Sequence, residues 1–124
     1  GIHAVACSLL NCGHETIAET MPADSKGKIQ VIMFNLGYLP GSDKKVITET
    51  GKTMRGIRSA LEWLAPGGLM TVVVYPGHEG GAEEAREVAS FGTGLSPREV
   101  EVQHIRPVNR TASPPELWAF WKRG

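Results

Sequence analysis

An asparagine and a tyrosine close together in the chain could hold a substrate amine. Asn35 directly follows the apolar run 29–34, and Tyr38 comes three residues later. The Asn35 amide oxygen and the backbone carbonyls of Leu36 and Gly37 can accept hydrogen bonds from one nitrogen. The Tyr38 ring offers a face on which a flat base can stack. An amine oriented in this way favours group transfer to nitrogen, although the same residue types are equally typical of a plain turn.

A second polar loop, residues 76–81, follows the apolar run 69–75 and carries a histidine. His78 could move a proton near neutral pH or hydrogen-bond a substrate phosphate or base; as an ordinary loop residue it would cap backbone groups instead. Glu79 could orient the imidazole or bind a ribose hydroxyl, or it could be the first acidic residue of the next helix. His14 follows another apolar stretch, and it either reaches the same site or begins a helix.

These side chains need a scaffold of alternating strands and helices. Apolar runs and helical spacing predict strand 3–10, helix 14–21, strand 29–34, helix 48–65, strand 69–75, helix 82–90, and strands 100–105 and 116–122. The alternation predicts one α/β domain, residues 1–124, with a mostly parallel sheet and an antiparallel C-terminal edge. The two central runs predict strands buried on both faces. Since ligands collect at the carboxyl ends of such strands, the Asn35 and His78 loops would face one another across a crevice.

Composition and charge narrow the class of protein. The chain has 124 residues and 41% hydrophobic content, enough for one compact core. It has no apolar stretch of about 20 residues and no secretion signal, so we expect a cytoplasmic protein without membrane attachment. Thirteen basic and thirteen acidic residues cancel, so any RNA must be held by local patches. The candidate basic residues, each singly more typical of a solvated charge, are Lys44, Lys45, Arg106, Arg110, Lys122 and Arg123.

Other polar residues carry less chemistry. Cys7 and Cys12 lie five apart, which matches neither a zinc pair nor a redox motif. Both are interpreted as buried or semi-buried thiols. Cys12 and His14 could in principle ligate a metal, but one cysteine and one histidine fall short of a site, and no metal is predicted. His104 lies in a strand-like segment and is interpreted as an ordinary surface or core histidine.

Four motifs together resemble one family. They are Asn35-Leu36-Gly37-Tyr38-Leu39-Pro40-Gly41 with Asp43-Lys44, Leu64-Ala65-Pro66-Gly67-Gly68, Tyr75-Pro76-Gly77-His78-Glu79-Gly80-Gly81, and Asn109 before Pro114-Pro115. The chain resembles, from about Cys7 to Lys122, the rRNA methylases among the class I S-adenosylmethionine-dependent methyltransferases. The group includes bacterial enzymes that methylate the aminomethyl nitrogen of a modified wobble uridine in tRNA.

The resemblance implies a partial Rossmann-like class I methyltransferase fold, S-adenosyl-L-methionine as cofactor and RNA as partner. The Asn35 loop takes the place of the Asn-Pro-Pro-Tyr loop of amine methyltransferases, with Leu36 and Gly37 where prolines usually stand. Together with the spacing above, it suggests three groups of site residues. These are catalytic Asn35, Tyr38 and His78; substrate-binding Leu36, Gly37, Leu39, Pro40, Lys44 and Glu79; and cofactor-binding His14 and Asn35.

The resemblance also implies a departure at the front of the chain. Family members begin with two further strand and helix units, which carry a glycine-rich loop for the methionine part of the cofactor and an acidic residue for its ribose. This chain would begin at their third strand and correspond to the C-terminal two-thirds of the domain. The sheet would then be completed by a second copy in a homo-oligomer, by another polypeptide, or by the first strand moving beside residues 29–34. We expect an RNA N-methyltransferase-like domain; the alternative is a cofactor-free module that binds RNA or protein.

Overall fold

The computed structural model describes residues 8–10, 23–36, 46–78 and 80–124. Its regular elements are β1 Ser8–Leu10, β2 Ile29–Asn35, α1 Val46–Trp63, β3 Leu64–Val74, α2 Gly81–Thr93, β4 Val100–Ile105 and β5 Glu116–Lys122, with a short 3-10 turn at Ala23–Ser25. The predicted bounds of β4 and β5 are confirmed, and α1 begins and ends two residues earlier than predicted. The predicted helix 14–21 and residues 3–7 of the first predicted strand lie outside the described residues.

The strands form one mixed sheet in the order β1-β2-β3-β5-β4, in which four longer strands are extended by the three-residue β1. The parallel pairings β1–β2 and β2–β3 align three and six residue pairs, whereas the antiparallel pairings β3–β5 and β4–β5 align six each. The prediction of a mostly parallel sheet is therefore wrong. The physical reason is that β5 lies between β3 and β4 and runs against both, so one reversed strand makes two pairings antiparallel.

The first strand lies beside β2. Ser8, Leu9 and Leu10 align with Ile32, Met33 and Phe34 in parallel register. The chain's own first strand thus lies beside β2, as in the third arrangement considered above. Completion of the sheet by a second copy or by another polypeptide stays a prediction.

The core lies between one face of the sheet and the two helices. Along β2 and β3 the burial alternates, and the fully buried set that includes Ile32, Phe34, Met70 and Val72 packs in one cluster with Ile57 of α1. The alternate residues are partly buried, so within the described chain the first face of these strands is fully buried and the second only in part. Both described helices pack on the fully buried face.

The apolar spacing of helix α1 explains why it forms, and a side chain from β5 caps its C-terminal end. Met54, Ile57, Ala60 and Trp63 recur every three residues and are all buried. The Lys122 Nζ atom donates hydrogen bonds to the carbonyls of Leu61 and Leu64, at 2.7 and 2.9 Å, and so satisfies acceptors that a helix end leaves open. Neither described helix has the length and apolar content needed to cross a lipid bilayer.

Candidate functional site

Asn35 is the last residue of β2, and the chain turns immediately after it. Asn35 aligns with Val73 in the parallel register, one residue before β3 ends. The next residue, Leu36, is buried and its N–H donates to the Val73 carbonyl at 3.0 Å. The Asn35 side chain, by contrast, is exposed. A buried leucine held to β3 therefore fixes the backbone, while the amide remains at the rim of the sheet.

The loop after β3 turns tightly into α2, and steric constraints explain why glycine occupies two of its positions. The His78 N–H donates to the Tyr75 carbonyl at 3.1 Å, and the Gly81 N–H donates to the His78 carbonyl at 2.9 Å. Gly80 has a φ of 79°, a left-handed conformation that favours glycine. A Cβ at position 81 would overlap the Tyr75 carbonyl oxygen. The glycine run thus lets the helix begin directly against the end of the strand.

His78 is exposed and lies at the same edge of the sheet as Asn35. Its ring packs edge-on to that of Tyr75, with the ring centroids 5.7 Å apart and an interplanar angle of 62°. Tyr75, which sequence analysis did not name as a site residue, thus contacts one side of the imidazole. The structure places Asn35 and the His78 loop at the ends of neighbouring strands, as the alternation predicts; that the two loops face each other across a crevice stays a prediction.

The other predicted site residues fall mainly outside the described chain. Leu36 is described, and it is a buried residue that anchors the turn. The members that lie outside the described residues are His14, Gly37, Tyr38, Leu39, Pro40, Lys44 and Glu79. Their assignments to cofactor or substrate stay predictions.

The connection between β4 and β5, residues 106–115, reaches the same edge of the sheet, a position that sequence analysis did not predict. The residue that follows it, Glu116 at the start of β5, aligns with Val74 at the carboxyl end of β3. A Cβ at position 77 would lie 2.8 Å from the backbone oxygen of Ser113, so the connection touches the loop that carries His78. No sequence signal marks this contact, because it depends on β5 being inserted beside β3.

A histidine and a glutamate join the two ends of this connection. The His104 Nε2–H donates to Glu116 Oε1 at 2.7 Å, and the His104 ring stacks on the buried Trp118 at 4.0 Å between centroids. In the antiparallel register His104 aligns with Trp118, which puts Glu116 on the diagonal of the same face. His104 is therefore a structural residue with defined partners. These partners could be predicted from the two strands only if the register between them were known.

The candidate basic residues divide into two groups. Lys122 donates to the end of α1, and Arg123 pairs with Glu101 at 3.0 Å. Arg106 and Arg110 are exposed, and within the described chain neither guanidinium has an ion pair or hydrogen bond. Lys44 and Lys45 lie outside the described residues.

Comparison with known sequences finds relatives along nearly the whole chain. The sequence model of the family described as "Putative rRNA methylase" matches residues 2–120. The chain is also 37% identical over 112 residues to the chloroplastic tRNA (mnm(5)s(2)U34)-methyltransferase of Arabidopsis thaliana. This match covers 90% of the present chain and 40% of the plant protein.

Solved structures give the same relationship. A "putative methyltransferase" from Streptococcus mutans, solved in complex with SAH, matches with a TM-score of 0.72 and 33% identity, over 89% of this chain and 57% of that one. A "putative rRNA-methylase" from Clostridium thermocellum matches with a TM-score of 0.75 and 32% identity, over 93% of this chain and 60% of that one. The chain thus spans between 40% and 60% of the length of these relatives.

Proposed function

The chain belongs to the "Putative rRNA methylase" family, and on this premise we propose that it forms the substrate side of an S-adenosylmethionine-dependent RNA N-methyltransferase. The observation that carries the proposal is the position of Asn35. Its backbone is fixed by the β2–β3 register and by the buried Leu36, and its amide is exposed at the carboxyl end of the strand. A rigid amide acceptor at this edge suits an amine substrate, because an amine must be held with its lone pair toward the methyl group.

The proposed roles follow from the chemistry of each side chain. Asn35 accepts a hydrogen bond from the substrate amine and orients it. Tyr38 stacks on the base. His78, held by the tight loop and by the Tyr75 ring, takes up the proton that the amine loses, directly or through solvent. Positioning accounts for most of the effect, since methyl transfer is a direct displacement that needs no covalent intermediate with the protein.

The described residues contain fewer groups suited to binding the cofactor than to binding the amine. S-adenosylmethionine supplies an electrophilic methyl group to enzymes of this class, and the relative from Streptococcus mutans was solved with SAH. Within the described residues, the ends of β1 and β2 offer the Asn35 amide but no carboxylate and no glycine-rich loop. These residues fit the amine side of the site and fall short of a complete cofactor site, so no step through the cofactor is assigned to them.

The direct test is methyl transfer from radiolabelled S-adenosylmethionine to RNA. We expect Asn35→Ala to lower kcat about 100-fold, the usual scale for removing one oriented hydrogen-bonding group from an active site. Gln30→Ala is the matched control, because Gln30 is an exposed amide at the other end of the same strand. Equal activities of the two variants would remove Asn35 from the site.

Calorimetric titration with S-adenosylmethionine tests the cofactor independently of the substrate. Heat of binding at millimolar cofactor supports the methyltransferase proposal. Its absence, together with no thermal shift, would leave this chain as a cofactor-free binding module of the same family.

A further inference from the structure

We propose that the β4–β5 connection, residues 106–115, binds the RNA phosphate backbone beside the amine-holding edge, through Arg106 and Arg110. The inference rests on the proposed function for its choice of RNA as the ligand. It adds a substrate-positioning surface to an edge so far defined by Asn35 and His78.

The first support is placement. Glu116, which directly follows the connection, aligns with Val74 at the carboxyl end of β3, and Ser113 packs against Gly77 in the loop that carries His78. Asn35 ends the neighbouring strand β2 at the same edge. A nucleic acid strand whose base reaches this edge would therefore run past the connection.

The second support is charge and exposure. Residues 106–115 contain two arginines and no acidic residue. Both guanidiniums are exposed, and within the described chain neither has an ion pair or hydrogen bond. Nearly all of the segment is exposed, including Val108 at 91%. Arginine forms bidentate hydrogen bonds with phosphate, so this segment, which carries no carboxylate of its own, offers two guanidinium groups to a polyanion. The adjacent Glu116 carboxylate accepts a hydrogen bond from His104.

The third support is rigidity. The hydrogen bond from His104 to Glu116 joins the two ends of the connection, and the stack of His104 on Trp118 holds the first end against the core. Three of the ten residues in the connection are prolines, which restrict the backbone before binding. A restrained segment loses less conformational entropy when it binds, so its two arginines contribute more to the binding affinity than two arginines on a flexible tail would.

The chemistry of methyl transfer to a base points to a single-stranded or looped RNA. A base inside a duplex is not accessible to an enzyme, so the target must lie in a loop or be flipped out of the stack. Phosphate contacts position such a strand without reading its sequence. The connection is therefore expected to contribute affinity and orientation, and no base specificity.

The test is fluorescence anisotropy of a labelled RNA stem-loop titrated with the full chain at several salt concentrations. Each phosphate contact to single-stranded RNA contributes about 0.7 to the slope of log affinity against log salt. We expect Arg106→Ala and Arg110→Ala each to reduce the slope by about 0.7 and to weaken binding about fourfold at 0.15 M salt.

Arg98→Ala is the matched control. Arg98 is exposed and precedes β4, so it lies at the opposite end of the same strand from Arg106. It should leave both the slope and the affinity unchanged. Circular dichroism of each variant verifies that the fold is retained, as expected for substitutions at exposed loop positions.

The outcomes separate this inference from the proposed function. An unchanged slope in the Arg106→Ala and Arg110→Ala variants, equal losses in the Arg98→Ala control, or no RNA binding by the unmodified chain at low salt would each overturn it. If the slope falls as expected while calorimetry shows no cofactor binding, the RNA surface stands and the methyltransferase proposal fails for this chain. If the cofactor binds and the slope does not change, only the RNA surface fails.

Discussion

The two edges of the sheet use the same kinds of residues for different purposes. At the edge where β3 begins, Lys122 closes the end of α1 and Arg123 pairs with Glu101. At the edge where β2 and β3 end, the Asn35 amide and the Arg106 and Arg110 guanidiniums are exposed. Lys122 and Arg123 at the first edge have partners within the protein, whereas Arg106 and Arg110 at the second edge have none within the described chain. The role of a basic residue therefore depends on its partners in the fold, which the sequence alone does not give.

The largest expected effect on the free energy of unfolding comes from a substitution that tests whether the carboxyl edge is as closely packed as the amino edge. Gly81→Ala places a methyl group where the Tyr75 carbonyl oxygen lies. We expect a loss of about 3 kcal/mol in the free energy of unfolding, because backbone atoms on both sides must move. Urea denaturation measures it.

Gly94→Ala is the control for this substitution. Gly94 follows α2 with a φ of −81°, and a Cβ there would meet its nearest neighbour at an ordinary 3.5 Å. Its effect should be within about 0.5 kcal/mol. Equal free energies of unfolding for the two variants would mean that the His78 loop is loosely packed. The carboxyl edge would then differ from the amino edge in backbone packing as well as in the partners of its basic residues.

A smaller effect is expected from the basic residues at the amino edge. Lys122→Met keeps the aliphatic stem but removes two hydrogen bonds to carbonyls, and we expect a loss of about 2 kcal/mol. Arg123→Met removes an exposed pair and should cost less than about 0.5 kcal/mol. Urea denaturation of both, with Arg110→Met as the carboxyl-edge counterpart near zero, ranks the three positions. A loss for Arg110→Met as large as that for Lys122→Met would erase the contrast between the edges.

The smallest effect concerns the contacts that restrain the connection. A double-mutant cycle with His104→Phe and Glu116→Met isolates their hydrogen bond, because methionine has no carboxylate acceptor, while a ring remains stacked on Trp118. We expect a coupling free energy of about 0.5 to 1 kcal/mol, since the pair is partly exposed. A coupling of zero would mean that only the stack of His104 on Trp118 restrains the connection. His104→Ala, which removes that stack, would then lower RNA affinity more than a substitution of Glu116.

Local pattern was sufficient for most of the elements. The stripe of apolar residues in α1 and the β-rich composition of β4 and β5 placed these elements closely, because burial on one face dictates the spacing. The start of β3 was missed. Residues 64–68 read as the stop of a helix, yet Leu64 aligns with Ile29 and Leu69 with Val31, so the strand begins earlier and contains an irregularity.

Strand order and neighbours across the sheet were beyond local pattern. The alternation of strands and helices ends after α2, and nothing in the sequence says that β5 inserts between β3 and β4. That insertion brings Ser113 to Gly77 and Lys122 to the end of α1. Asn35 and His78 could be named from their motifs, whereas the partners that hold the connection required the register.

The position of β5 has a consequence for biosynthesis. Residues 116–122 are the last strand along this chain, yet they lie inside the sheet and supply partners to both β3 and β4. While the ribosome still covers these residues, β3 and β4 each present an unpaired edge, the kind of surface on which nascent chains associate wrongly. A stop codon or proteolytic cut before residue 116 would therefore leave a chain that contains Asn35 and His78 but cannot close its sheet.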